Sequence, residues 1–534
     1  MAWWWAFAFV LFITLNFVFS KLQEFIRNLR FQKFAKAHGA EEPPHTIPSK
    51  LPRGIDPVYR VYRVLNSSKS GEDIWDDIVL PQFTALGRDT IVSTDIMGQR
   101  VVNTMDPKNI QAILASNFKD WEIGKRRSRQ FGVMLGRSIF TTDGAEWSHF
   151  RGLARPQFTR ENINDLEGTE KACQDLIRVV NGDTSEGWTT LVDLAPLFYR
   201  FTLDTATKFF FGESVNSQLT AAGIYEGESS TDDLSKTLNE EFDRAWTQCS
   251  EWIGVRVRLQ GLYWLGNAPK YSKAIKRVRD FANHYVQLAL KSHDQHSKSS
   301  SADQPRSFSL LEGLAQDSTN ATELRDQILS FLFAGRDTTA SLLSWTFIQL
   351  ARDRASQTKL RAAIHAAFGD GPAAITFASL KACAFLQHVL LETLRLSPAT
   401  PINNRVAVRD TLLPAGGGPD GSKPVAIRAG QPCFFFVYGL HRREDLWGPD
   451  AALFKPERWA GRKLDWSYIP FSGGPRICLG QQYALTEAAY LVVRLLQTFP
   501  DMEWVGDEGK VRRGFGAIMA PKFGVPVRFS RRKA

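Results

Sequence analysis

Cysteine is scarce: Cys173, Cys249, Cys383, Cys433 and Cys478 are the only five in 534 residues. They form no Cys-x-x-Cys pair and no His/Cys cluster, which argues against a disulfide framework and a structural zinc site and favours a reducing, cytosol-facing compartment. Walker loops and His-Glu-x-x-His motifs are missing, and so is any usable nicotinamide or flavin fingerprint. The one Gly-x-Gly-x-x-Gly match, "GGGPDG" at 416–421, contains Pro419 and leads into no helical pattern, so it reads as a turn. Internal repeats are absent too. The net charge of +10 is spread along the chain without a basic-aromatic recognition motif, which argues against a nucleic-acid partner. Anionic lipid or an acidic protein partner accounts for it more simply.

Charge is also missing from the first twenty residues, "MAWWWAFAFVLFITLNFVFS". About twenty apolar residues suffice to cross a bilayer as a helix, and the tryptophans at one end suit a membrane interface. A cleaved signal peptide would need a basic leader and a small-residue cleavage site, and neither is present. Lys21, Arg27, Arg30, Lys33 and Lys36 follow, against one Glu24. By the positive-inside rule this flank stays cytosolic. Leu22, Ile26 and Leu29 fall at helical spacing, so the segment either lies on the membrane surface or is a solvated basic linker. The motifs at Asn66 and Asn320 would then face cytosol and stay unglycosylated.

What the chain does contain is an ordinary globular composition, 43% hydrophobic and 23% charged. "EEPPHTIPSKLPRG" (41–54) is a proline-rich hinge, and "HSKSSSADQPR" (296–306) is a polar loop. The expected organisation is an anchor at 1–20, a basic and proline-rich linker at 21–59, and one catalytic unit at 60–534. Apolar spacing predicts helices over 164–180, 236–256, 270–292, 321–352, 356–367 and 383–396. Fewer strands are expected, in "TIVSTDI", "RVVNT", "RVAV" and "PCFFFVYGL". The class is mainly α with a smaller β portion.

Five motifs carry chemistry. In "FSGGPRICLG" (471–480), glycines surround Cys478 just before a strongly helical stretch. A helix N-terminus favours a thiolate; a free cysteine taken alone is more often a buried apolar thiol. "AGRDTT" (334–339) places Gly335 inside a helix at a cost of about 1 kcal/mol. Either the helix is kinked there or something approaches the backbone, with Asp337 and Thr338 able to relay protons. "ETLR" sets Glu392 and Arg395 on one helical face, "PERW" supplies Arg458, and "WSHFR" supplies Trp147 and Arg151.

The order Phe-x-x-Gly-x-Arg-x-Cys-x-Gly, filled by Phe471, Gly474, Arg476, Cys478 and Gly480, resembles the cysteine loop of the cytochrome P450 haem-thiolate monooxygenases. The other four motifs follow that family's order. The resemblance runs from the membrane anchor to the C-terminus and implies the cytochrome P450 fold with an N-terminal transmembrane helix. It implies haem b with Cys478 as the iron ligand. Trp147, Arg151, Arg405 and Arg476 would meet its propionates, and Phe471, Gly480, Ala334 and Gly335 would lie against it. Glu392, Arg395 and Arg458 would form a buried triad, and Asp337 and Thr338 would deliver protons.

With no nucleotide fingerprint, electrons would come from a separate NADPH-cytochrome reductase on the endoplasmic reticulum membrane, with the catalytic unit facing the cytosol. The chain is similar to the fungal branch that hydroxylates alkanes and fatty acids, which implies O2 insertion into a terminal or near-terminal C–H bond of a hydrophobic substrate. It departs from that branch at Ile402 and Asn404, where arginine and an aromatic are usual. A tailoring oxidase acting on a polyketide, lipopeptide or terpenoid is the alternative. Phe331, Phe333, the 398–404 stretch and "GFGAIMA" (514–520) are pocket candidates. A haem-thiolate isomerase and a non-catalytic haem sensor are the other classes; the Asp337-Thr338 pair argues against both.

Overall fold

A computed structural model of the chain describes residues 2–46, 73–95, 97–182, 184–185, 187–224, 233–298, 309–509 and 511–530. The expected start of the catalytic unit at residue 60, the Asn66 motif and most of the 296–306 loop lie outside them.

Helix α1 (Ala2–Ala37) runs unbroken through the expected anchor boundary at residue 20. Its first half exposes Trp3, Trp4, Phe12 and Phe19, and its second half exposes Leu22, Ile26 and Leu29. Near its end Phe31 is buried beneath the Arg428 guanidinium, 4.6 Å from the ring centroid, and the same arginine donates to Asn28. Among the described residues no helix is long and apolar enough to cross a membrane.

Seven further helices build the site: α2 (Lys125–Leu135), α3 (Gly144–Ala154), α4 (Leu194–Phe211), α5 (Asp233–Arg258), α6 (Ala321–Arg352), α7 (Ala384–Leu396) and α8 (Gln481–Thr498). The longest of these after α1, α6, has the bounds its apolar pattern predicts. Asn320 starts it by accepting the Thr322 and Glu323 N–H groups at 3.1 and 3.2 Å. Apolar residues surround it on all sides, as a fully buried helix requires; α4, α7 and α8 pack against it. Leu343, Trp345 and Phe347 share one core with α8, while Leu329 and Leu332 share a second with Phe242 and Trp246 of α5.

The main sheet joins β1 (Thr90–Thr94), β2 (Arg100–Thr104), β3 (Trp121–Glu122), β4 (Ile402–Ala407) and β7 (Pro432–Phe436) in the order β1-β2-β7-β4-β3. Between β4 and β7 lies a hairpin of β5 (Thr411–Gly417) and β6 (Lys423–Ile427). Of the 416–421 glycines, Gly416 and Gly417 end β5, and Gly418 and Gly421 lie in the turn with φ of +77° and +76°. Of the "PCFFFVYGL" stretch, only the first half is strand; Val437–Leu440 forms a helical turn.

Candidate active site

The loop at 471–480 folds back tightly. Ser472 and Gly474 both take φ of +65°, and a Cβ on Gly474 would stand 1.9 Å from the Leu114 carbonyl oxygen. Only glycine fits there. The Cys478 N–H donates to the Phe471 carbonyl at 3.0 Å, closing the turn, and α8 begins three residues on with Gly480 at its cap. Cys478 lies deep in the protein, yet its surface is open because it faces a cavity of about 300 Å³.

That cavity gathers ten of the eleven candidate residues. The loop contributes Phe471, Arg476, Cys478 and Gly480; α3 gives Trp147 and Arg151; α6 gives Ala334, Gly335 and Thr338; β4 gives Arg405. Phe331, Phe333, Ala399, Thr400, Asn403, Ala517 and Ile518 complete much of the wall, so three of the expected pocket segments do reach it. A Cβ on Gly335 would meet only Phe210, at an ordinary 3.5 Å. Packing therefore does not force that glycine, and its missing side chain leaves the cavity open. The Thr338 hydroxyl donates to the Ala334 carbonyl at 2.5 Å.

Asp337 is the exception. Its carboxylate does not line the cavity but accepts from Arg336 at 3.0 Å. Arg336 also reaches Asp243 on α5 at 2.8 Å. From α6 the cavity takes 331, 334, 335, 338, 339 and 342 along one stripe and Phe333 from outside it; residue 337, one turn beyond 333, does not line it.

The cavity is strongly cationic. Arg127, on α2, lines it beside Arg151, Arg405 and Arg476, and no motif in the sequence singles it out. Arg476 pairs with Asp143 at 2.7 Å and lies over the Trp147 ring at 4.3 Å. Among the described residues Arg405 donates to neutral acceptors alone, the Asn404 carbonyl at 2.7 Å and the Asn403 amide oxygen at 3.3 Å. Burial, then Arg127 and Arg476, pushes the Arg405 pKa down to about 9; burial pushes Arg476 down to about 10 against the pull of Asp143. The Nε groups of Arg127 and Arg476 are buried without an acceptor among the described residues. Burial also raises the Cys478 thiol, while the Gly480 N–H and Arg151 pull it down. A thiol facing clustered guanidiniums short of anions fits a haem, which brings a metal for the sulfur and two carboxylates for the arginines.

Behind the loop, Glu392 and Arg395 are fully buried and doubly bonded, at 2.9 and 2.8 Å. Arg458 donates to the same carboxylate at 2.8 Å. His441, which the sequence reading passed over, links Arg395 to Ile469 at the base of the loop.

A second cavity of about 550 Å³ lies across β4. Strand alternation sends Asn403 and Arg405 to the first cavity and Ile402, Asn404 and Val406 to the second. Ile123 and Arg127 line both.

The family model described as Cytochrome P450 matches residues 73–510. The chain is 42% identical to cytochrome P450 monooxygenase g430 of a Fusarium species, over 98% of this chain and 90% of the relative. It is 40% identical to cytochrome P450 52A13 of Debaryomyces hansenii, over 83% of each. It is 38% identical to cytochrome P450 monooxygenase alt2 of Alternaria solani, over 97% and 95%. Among solved structures, the cytochrome P450DA haem domain superposes with a TM-score of 0.69 at 19% identity, covering 92% of this chain and 97% of that one.

Proposed function

Because this chain belongs to the cytochrome P450 family and is a monooxygenase of that family, we propose that it oxidises the terminal or near-terminal carbon of a fatty acid or alkyl chain while anchored to a membrane. The observation that carries this reading is the cavity in which one interior thiol, four guanidiniums and the Thr338 hydroxyl converge. Cys478 would hold the iron of haem b. Trp147, Arg151, Arg405 and Arg476 would take its carboxylates, with Phe471, Gly480, Ala334 and Gly335 against the ring. A haem so ligated supplies oxygen activation, since thiolate donation favours O–O cleavage.

The chain's own residues do the rest. Phe131, Phe331 and Phe333 keep the cavity apolar and exclude water. Thr338 gives its hydrogen to the Ala334 carbonyl, which leaves oxygen lone pairs to hold a water or proton donor. Asp337, outside the cavity lining and tied to Arg336, stands at the outer end of that relay.

Residues 1–20 form the anchor, 21–59 the linker and 60–534 the catalytic unit, with electrons from an NADPH-cytochrome reductase at the endoplasmic reticulum membrane. The uncharged first twenty residues and the exposed Trp3, Phe12 and Phe19 support the anchor. The second reading, a tailoring oxidase for a polyketide, lipopeptide or terpenoid, is favoured by Ile402 and Asn404 in the second cavity.

A reduced, CO-bound spectrum red-shifted from that of histidine-ligated haem tests thiolate ligation, and Cys478→Ala should abolish it. Reductase-dependent conversion of dodecanoic acid to its terminal alcohol tests the substrate class. Turnover of a polyketide but of no fatty acid would move the assignment to the second reading. Alkaline carbonate extraction tests the anchor, since an anchored chain stays with the membrane.

A further inference from the structure

Arg127 stands where the two cavities meet. Its Nη1 donates to the Asn403 amide oxygen at 2.8 Å, its Nε has no acceptor, and no carboxylate reaches it within ion-pair distance among the described residues. A buried guanidinium left without an anion is costly, and burial lowers its pKa with only Asp143 opposing. Asp143 is already engaged: it pairs with Arg476 and accepts the Ile123 and Gly124 N–H groups. Two haem carboxylates and Asp143 together neutralise three of the four guanidiniums around the first cavity, which leaves one. Arg127 is the one of the four that also lines the second cavity.

The second cavity is lined as a route for an amphipathic acid. Trp75, Phe83, Phe434 and Phe436 give it an apolar wall. Of its two carboxylates, Asp95 is paired with Arg126 at 2.8 Å, and Glu122 stands beside Lys125, so neither serves Arg127. We propose that Arg127 anchors a substrate carboxylate where the two cavities meet, so that an elongated acid admitted through the second cavity lies in the first with its other end at the oxidising centre. This rests on reading the first cavity as the haem site.

Imidazolyl-dodecanoic acid and its methyl ester, with shorter and longer homologues, test this on the full-length holoprotein. The imidazole ligates the iron and shifts the haem band, so binding is read without turnover. At its best chain length the acid should bind about 10- to 100-fold tighter than the ester. Arg127→Gln should bind acid and ester equally while keeping haem content and the CO spectrum. Arg127→Lys, which keeps the charge but loses the planar fork, should retain part of the preference. An acid-to-ester ratio unchanged by both substitutions overturns the proposal. So does haem loss in Arg127→Gln with the ratio intact, which would assign the residue to the cofactor's carboxylate. A missing CO band would instead defeat the haem reading, and a kept ratio without fatty-acid turnover would defeat only the substrate class.

Discussion

His441 accepts the backbone N–H of Ile469 through Nε2 at 3.0 Å, while Nδ1 faces the Arg395 carbonyl at 3.2 Å. The proton must therefore sit on Nδ1 and the ring must stay neutral. Burial, with Arg395 close by, pushes its pKa down to about 3. In the unfolded chain histidine titrates near pH 6.5, so between those values only the unfolded state binds the proton. The stability this site contributes is full above about pH 6.5 and falls toward pH 3, at roughly 1.4 kcal/mol per pH unit. His441→Gln should flatten the pH dependence of the urea midpoint by one proton across that window. Because Ile469 precedes the cysteine loop, wild-type haem release should follow the same acid limb.

The triad behind the loop predicts a larger loss. Glu392 accepts from Arg395, Arg458, Trp459 and the Lys455 backbone N–H. Glu392→Ala would strand a fully buried Arg395 and should cost roughly 3–5 kcal/mol. Denaturant midpoints would show it, together with a fall in the haem-loaded fraction. A cost below about 1 kcal/mol would mean that the three carbonyls on Arg395 hold it unaided.

Two glycines of the same loop should respond differently. Gly474→Ala drives a methyl into the Leu114 carbonyl at a positive φ, so the loop cannot close and the CO band should disappear. A Cβ on Gly480 meets only Phe158 at 3.7 Å. Gly480→Ala should therefore leave the fold intact, and any weakening of haem retention in that variant reports contact with the cofactor itself. Haem content after gel filtration, set beside the unfolding midpoint, separates the two effects.

The loop and the central helix were legible in the sequence because each obeys a local rule: glycine at 474, where φ is positive and a Cβ would clash, and apolar residues on every side of a buried helix. Nine of the ten candidate residues that met in one cavity sit in motifs with fixed spacing; Arg405 came from the family resemblance alone. The place of Thr338 could have been read as well, from the 331, 334, 335, 338 and 342 stripe, but not that of Asp337, since Phe333 one turn before it does line the cavity. Arg127 could not. "GKRRSRQ" looks like a solvated basic run, and only tertiary packing decides which of its arginines reaches the first cavity. The division of β4 between two cavities was half legible: alternation follows from any strand, but a second cavity does not.

Thr338 and Asp337 make separable predictions because the first lines the cavity and the second does not. Thr338→Ala removes a hydroxyl that faces the cavity and is held by the Ala334 carbonyl. It should keep the haem spectrum while diverting reducing equivalents to peroxide, with product per NADPH falling by roughly tenfold or more. Asp337→Asn removes a carboxylate that faces Arg336 instead. It should slow oxygen consumption itself, with an increased solvent isotope effect and a smaller change in the peroxide share, because proton supply is lost before the cavity is reached. Arg336→Gln tests the link: with its ion-pair partner gone, Asp337 loses its fixed orientation, and oxygen consumption should slow as it does in Asp337→Asn. Coupling unchanged in Thr338→Ala would remove that hydroxyl from the relay, and an unchanged oxygen-consumption rate and isotope effect in Asp337→Asn would remove the carboxylate.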